Sequence, residues 1–266
     1  MTEQPTAISA EGRDRDFVTA LSRGLKVLES LDQNAKGLGN TDLAQATCLP
    51  KPTIARLTHT LVQLGYIRFD KAHGTYQVTP KLLALGANVA QTTDISQLTL
   101  PELNALRDGP NPGITASLVE LVGARVVFRN VVQSNQQNAL WMQAGIMAHV
   151  LDTAVGRAIL SASDALQQAQ ILEAVAAVDT KSKDDVDQLF RTAQDEYAAK
   201  GYCTGFRQWR GDVNAIALAF RLPGDFQVYG ISVGGPAIYV SEAELEEIYG
   251  PLLKTAAGRI TGRPDV

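Results

Sequence analysis

Between Lys51 and Leu64 the side chains sort by helical spacing into two chemically different faces. At about 100° per residue, Ile54, Leu57, Leu61 and Leu64 fall within about 80° of one another and form one core-facing stripe. Thr53, Arg56, His59, Thr60 and Gln63 lie opposite. Such a face carries donors for phosphate oxygens and base edges, and an α-helix has the width of a major groove. Arg56 could read a guanine edge or hold a phosphate, whereas Lys51 and the more distant Lys71 suit phosphates, and Lys71 and His73 together suit the DNA backbone or minor groove. Any solvated helix shows a polar face, so the weight rests on the elements around this one.

Those elements are legible. Val18, Leu21, Leu25, Leu28 and Leu31 recur at three and four residues, the stripe of an amphipathic helix. Gly24 sits inside it at a cost of about 1 kcal/mol relative to Ala, which suggests close packing against another element. Asn40 or Thr41 can N-cap a short helix, Asp42 to Ala46, with Leu43 inward. Thr47 to Pro50 is the tight turn, and Pro52 fits the first turn of the next helix. Gly65 caps that helix, Tyr66 to Phe69 and Thr75 to Val78 read as strands, and Asp70 to Gly74 joins them. Three helices and a hairpin with Lys71 and His73 at its tip make a winged helix-turn-helix.

Composition supports this and narrows the alternatives. The chain has 266 residues, enough for two domains, with 45% hydrophobic and 20% charged residues, ordinary globular values. Its net charge of -4 is unevenly spread: residues 21–81 carry eight Lys/Arg against four Asp/Glu, and residues 82–266 carry fourteen against twenty. A basic front on an acidic body suits a chain whose first domain meets a polyanion. Cys48 and Cys203 are too few and too separated for a disulfide framework or a CxxC metal site. His59, His73 and His149 are too scattered for a metal cluster, so neither metal nor cofactor is expected. Gly37-Leu38-Gly39 follows no strand and makes a poor phosphate loop. Thr153, Ser161 and His149 could be drawn as nucleophile and base only on paper, so no catalytic residue is assigned and an enzyme is not expected. The absence of a membrane-length apolar run and of a signal pattern in Met1 to Ala10 predicts a cytoplasmic protein with no membrane partner.

The remainder reads as an α+β domain. Thr79 and Pro80 start a linker helix, Lys81 to about Gln91, in which Leu82, Leu85 and Val89 can bury one side while Leu83 points elsewhere. An apolar helix between two domains is often a dimer contact. Leu98 to Leu106 is helical, and hairpins are expected from Ile114 to Val132 and from Asn214 to Val233. Helices are expected near Ala154–Leu160 and Lys183–Lys200, with Gly201 ending the second. Ser241 and Glu244 suggest a capping box for a last helix kinked at Gly250-Pro251. The expected division is a flexible start over 1–16, a winged helix-turn-helix over 17–79, a linker helix over 80–97, and an effector-binding and oligomerisation domain over 98–266.

Ser22-Arg23-Gly24-Leu25, Leu43-Ala44, Leu49 to Thr53, Arg56-Leu57, Leu61, Leu64-Gly65-Tyr66, Tyr76-Gln77-Val78 and Pro80-Lys81 together resemble the winged helix of the IclR family. Thr153 to Leu160, Gly201-Tyr202, Asn214 to Ala217 and Ser232 to Pro236 resemble its effector domain, and the likeness runs from about residue 17 to 262. The resemblance implies a GAF-like antiparallel sheet flanked by helices and a transcription regulator that binds operator double-stranded DNA as a homodimer or tetramer. It implies Lys51, Thr53, Arg56 and Thr60 as recognition-helix contacts, Ser22 and Arg23 as phosphate contacts, and an effector pocket at Thr153, Ala154, Val155 and Gly156.

One segment departs from the family. Many relatives carry acidic residues after the Gly-Tyr pair, whereas this chain has Gly205-Phe206-Arg207-Gln208-Trp209-Arg210-Gly211. A negative rim becomes positive and aromatic, and small Ala215 and Ala219 leave room above the sheet. This predicts a small organic acid as effector, with Gly205 and Trp209 at the pocket and Arg207 or Arg210 as charge partner. The alternative is that both arginines face solvent or pair with Asp212. At the level of function, the alternative is a sensor whose winged helix contacts protein rather than DNA.

Overall fold

The computed structural model describes residues 17–32, 36–91, 94–136 and 142–263, so the start expected to be flexible lies outside the described residues. The chain divides into two compact units, residues 1–89 and 90–266.

In the first unit, α1 (Thr19–Asp32), α2 (Asn40–Thr47) and α3 (Lys51–Gln63) precede a two-stranded sheet, β1 (Ile67–Asp70) and β2 (Thr75–Val78). The pairing is antiparallel, Ile67 opposite Val78, and Leu38 adds a bridge to Tyr76. Gly37, at φ 75°, makes that approach possible, because a Cβ there would lie 2.4 Å from the Tyr76 carbonyl oxygen. The Gly37-Leu38-Gly39 stretch is thus part of the wing. Gly39, not Asn40 or Thr41, is the N-cap of α2, and its N–H donates to Asp42 Oδ2 at 3.0 Å.

The core here is Val27, Leu31, Leu43, Ile54, Leu61 and Ile67. It takes only part of each expected stripe. Val18, Leu21 and Leu25 on the α1 side and Leu64 after α3 are exposed, and Leu57 is half-buried. Thr58 is buried instead, because its hydroxyl donates to the Ile54 carbonyl at 2.9 Å and needs no water. Gly24 is not tightly packed: a Cβ there would make an ordinary 4.0 Å contact with Leu57. Helix α4 (Pro80–Gln91) follows, its first turn served by Thr79 Oγ1. Leu82 is half-buried and Leu85 exposed, so the expected burial of this face does not occur within one chain, and the Val89 side chain lies outside the described residues.

In the second unit, α5 (Asp94–Arg107) begins four residues earlier than expected and takes in residues 94–97 of the expected linker. The strands are β3 (Thr115–Val122), β4 (Arg125–Val132), β5 (Met147–His149), β6 (Cys203–Phe206), β7 (Val213–Phe220) and β8 (Tyr229–Pro236). They form one antiparallel sheet in the order β5-β4-β3-β8-β7-β6. One face packs against α6 (Ala154–Ala162), α7 (Ala165–Val178) and α8 (Lys183–Lys200). The other packs against α5, a π-turn at Leu245–Tyr249 and α10 (Gly250–Thr261). A short α9 (Glu242–Glu244) leads into that π-turn, which accounts for the irregularity expected at Gly250-Pro251. Ser241 caps α9, but Glu244 accepts from Asn111 Nδ2 at 2.8 Å and completes no capping box.

Small residues let helix α6 (Ala154–Ala162) lie close both to the turn before it and to the sheet. A Cβ on Gly156 would lie 2.0 Å from the Val150 carbonyl oxygen, and one on Gly230 would lie 2.4 Å from Val155 Cγ2. On the opposite face, Ser96 of α5 donates to Asn130 Oδ1 at 2.8 Å and accepts from Arg129 Nε at 3.2 Å. Among the described residues, no helix is long and apolar enough to cross a membrane.

Candidate functional site

The first unit presents a donor-rich helix face. Lys51, Arg56, His59 and Thr60 are exposed on α3, and Arg23 is exposed on α1, while Thr53 and Ser22 are half-buried. The face is divided. Thr53, Arg56 and Thr60 stand beside Leu57 and Leu64 on the wall of a groove lined also by Leu21, Arg23, Leu25, Leu82 and Leu85. Lys51 and His59 are not part of that wall. The groove is open and mainly apolar, about 690 Å³ in volume. At the wing, Lys71 is exposed, but His73 is tied to Asp70, with Nδ1 2.8 Å from Oδ2. His73 and the N–H of Ala72 hold the Asp70 carboxyl below the usual carboxylate range. Of the two expected tip cations, therefore, His73 already has a counter-charge.

The second unit contains a cavity between the sheet and α6. Thr115 and Ser117 of β3, Phe128 of β4, Val213 and Ala215 of β7, and Ser232 and Gly234 of β8 line its sheet side. Met142, the start of α6 at Thr153, Ala154 and Val155, and Gly205 and Trp209 complete it. Trp209 stacks on Phe128 with ring centroids 5.9 Å apart. The space left is about 50 Å³, below the ~150 Å³ of a cavity that admits benzene. As it stands, the cavity is too small for a ring, and its lining side chains must move apart to admit one.

A buried arginine holds both sides of this cavity. Arg157 of α6 is 7% exposed, and its guanidinium donates to the Leu151 carbonyl at 2.7 Å, the Thr204 carbonyl at 2.5 Å and Gln208 Oε1 at 2.6 Å. Burial pulls its pKa down, although an arginine keeps its charge. The segment before α6 and the loop that carries Trp209 are thereby pinned to one helix. The loop folds back on itself, with Arg207 N–H donating to the Val213 carbonyl at 2.8 Å and Val213 N–H to the Arg210 carbonyl at 3.0 Å. Arg207 adopts φ 56°, a conformation that side-chain-bearing residues rarely take.

Six of the ten residues expected at the pocket line the cavity: Thr153, Ala154, Val155, Gly205, Trp209 and Ala215. Four do not. Gly156 is packed against the Val150 backbone. Ala219 lies farther along the same sheet face as Ala215, opposite Gly230, where α6 covers the sheet. Arg207 is exposed, and Arg210 is exposed and paired with Asp212 through contacts of 2.9 and 3.1 Å. The arginines are not cavity residues, because the tight loop turns them outward while it turns Trp209 inward. Sequence reasoning missed Thr115, Ser117, Phe128, Met142, Val213, Ser232 and Gly234. Small polar residues facing each other in otherwise apolar strands were the available signal.

The described residues contain no cluster of three or more His, Cys, Asp or Glu able to hold a metal. Thr153, Ser161 and His149 do not hydrogen-bond one another: Thr153 Oγ1 accepts from Gly156 N–H, and the His149 ring faces Asp179 instead, with Nε2 3.6 Å from Oδ2.

Residues 20–71 match the IclR helix-turn-helix domain, and residues 87–261 match the family described as bacterial transcriptional regulator IclR C-terminal. The HTH-type transcriptional regulator TsaQ1/TsaQ2 of Comamonas testosteroni is 27% identical over 240 residues, spanning 90% of this chain and 85% of that protein. A crystal structure of an IclR-family transcriptional regulator from Brucella abortus superposes with a TM-score of 0.82 at 31% identity, covering 97% of this chain and 99% of that one. An IclR homologue from Microbacterium hydrocarbonoxydans, crystallised with 4-hydroxybenzoate, shares the fold at 18% identity, with a TM-score of 0.65 over 92% of this chain and 98% of that one.

Proposed function

The chain belongs to the IclR family of transcriptional regulators, with a helix-turn-helix DNA-binding domain and a C-terminal ligand-binding domain, and from that premise we propose that a small aromatic organic acid bound in the second unit sets its affinity for operator DNA. The observation that carries this reading is the cavity between β3, β8 and α6, closed by Trp209 over Phe128. An aromatic floor and lid favour a flat ring, and the positive end of the α6 dipole favours an anion. That a homologue of the same fold was crystallised with 4-hydroxybenzoate is consistent with this class of ligand.

On DNA, Arg56, His59, Thr60 and Thr53 meet the major groove, Lys51, Lys71, Ser22 and Arg23 hold phosphates, and His73 accompanies the wing. The working unit is a homodimer or a dimer of dimers. Leu21, Leu25 and Leu85, 62%, 50% and 57% exposed, supply an apolar flank that a second copy would cover. The ligand acts by preferring one placement of the paired winged helices over another. Whether bound protein blocks or assists transcription then depends on where the operator lies relative to the promoter.

The test is fluorescence anisotropy on a duplex from the regulator's own upstream region, titrated with and without 4-hydroxybenzoate, benzoate and other aromatic acids. At least one should shift the operator Kd by about fivefold or more. Unchanged affinity with every ligand that binds the protein would remove ligand control from the reading. Sedimentation of Leu21→Asp and Leu85→Asp variants tests the dimer, and a wild-type assembly state in both would refute this flank as the interface.

A further inference from the structure

Among the described residues, the cavity is lined mainly by apolar side chains, together with a set of buried hydroxyls whose hydrogen bonds are incomplete. Thr115, Ser117, Ser232 and Thr153 are 5%, 4%, 8% and 4% exposed, and all four line it. Ser117 and Ser232 stand directly opposite each other on β3 and β8 with their oxygens 2.8 Å apart. One of them must donate, and the hydrogen of the other has no acceptor among the described residues. Thr115 Oγ1 accepts from Ser134 N–H at 3.2 Å, and Thr153 Oγ1 accepts from Gly156 N–H at 3.0 Å. Their hydrogens also have no acceptor among the described residues.

Buried hydroxyl hydrogens normally find acceptors, so several that open on one small space mark where an acceptor belongs. Among the described residues, no charged side chain lines that space. We propose that the ligand's oxygen is bound by this neutral hydroxyl group, with the Ser117–Ser232 pair as the specificity determinant, while its flat apolar part lies against Trp209 and Phe128. Either serine can act as donor to the other, so the pair can point its spare hydrogen from either strand. It recognises an acceptor oxygen, whether that of a carboxylate or of a phenol, and rejects a hydrocarbon of the same shape. This assignment rests on the ligand-control reading above, and it replaces an arginine with hydroxyls as the polar partner.

Calorimetric titration of the full chain with 4-hydroxybenzoate, benzoate, phenol and toluene tests it, with thermal melts to establish that each variant is folded. Toluene should bind at least about tenfold more weakly than the best oxygen-bearing probe, and the Ser117→Ala/Ser232→Ala variant should lose about tenfold for that probe and nothing for toluene. The near-isosteric Thr115→Val variant should show a smaller loss in the same direction, which keeps the test available if the double variant is unstable. Benzoate binding without phenol binding assigns the oxygen to a carboxylate, and the reverse assigns it to a phenol. Undiminished affinity of the folded double variant and of Thr115→Val for the best probe would overturn the hydroxyl assignment alone. Failure of the wild type to bind any oxygen-bearing probe would instead remove the aromatic-ligand reading, and this assignment with it.

Discussion

Trp209 lies over Phe128 with their planes 25° apart and centroids 5.9 Å apart, although Trp209 hangs from the β6–β7 loop and Phe128 belongs to β4, with three strands between β4 and β6. The contact closes the cavity from above. An aromatic ligand of the class proposed would have to take the place of one of these rings or slide against it.

Trp209 then reports entry. The chain has two tryptophans, and a Trp141→Phe background isolates Trp209. Saturation with an aromatic acid that binds by calorimetry should shift or quench its emission. Trp209→Ala should weaken binding about two- to tenfold through loss of the stack, which is worth roughly 0.5–1.5 kcal/mol beyond buried area. Emission unaltered at saturation would mean that the ring binds elsewhere.

Arg207 and Arg210 should be silent toward the ligand. Arg207→Ala and Arg210→Ala are expected to leave the calorimetric Kd of a carboxylate ligand within about twofold, the range of exposed charges. Arg207→Gly should raise the melting temperature slightly by relieving the left-handed backbone at φ 56°. A tenfold loss in either alanine variant would restore an arginine to the cavity.

On DNA the expectation is reversed. Arg56→Ala should cost about 1–3 kcal/mol on the operator if it reads a guanine, and should narrow the gap between operator and unrelated duplex. Lys51→Ala and Lys71→Ala should weaken all duplexes alike and flatten the log Kd against log salt slope by about one each. His73→Ala should change that slope less, since Asp70 already faces the imidazole at 2.8 Å. Duplex binding indifferent to Arg56 and Lys51 would favour protein recognition by this helix.

The packing of α6 can be tested without ligand. Gly156→Ala forces a methyl to within 2.0 Å of the Val150 carbonyl oxygen, and urea denaturation should show a loss of more than about 3 kcal/mol, beyond the ordinary cost of overpacking. A near-wild-type midpoint would mean that α6 can lift from the segment before it.

Acid sensitivity has a named contributor in Asp179, whose carboxylate accepts from Lys181 N–H at 2.9 Å and lies 3.6 Å from His149. That backbone hydrogen bond, with the Lys181 ammonium and His149 adding to it, holds the carboxyl below its ordinary value. A depressed carboxyl stabilises the fold above the unfolded pKa of about 4 and loses that contribution as pH falls through the lower folded value. Asp179→Asn should therefore be less stable than wild type at pH 7, with the difference closing below about pH 4. Urea midpoints across that range provide the check.

Much of this was readable from residue patterns where a local rule and the tertiary environment agree. The span Lys183–Lys200 follows from its caps, and the turn Gly123-Ala124 places β3 and β4. β5 and β6 escaped because strands this short carry little periodicity and, unlike β1 and β2, they do not pair with an equally short neighbour across a tight turn. Thr115 and Ser117 escaped because a polar residue in a strand ordinarily marks a solvated face, and only α6 and the Trp209 loop make this face of β3 an interior. Between an arginine at the pocket and the alternative of solvent or Asp212, the geometry matches the alternative, since sequence shows charge but not the direction of a tight loop. Val18, Leu21 and Leu25 were correctly apolar, but periodicity cannot say which molecule covers them.

The alternation of β4 has a mechanical consequence. Phe128 lies under Trp209 on one side of the sheet, and its covalent neighbour Arg129 reaches Ser96 of α5 on the other. A single peptide unit, stiff in every dimension but its two dihedrals, separates the cavity from the helix that follows α4 in the chain. The strand is thus a covalent element that touches both layers at this point, its aromatic side on the cavity and its guanidinium side on α5.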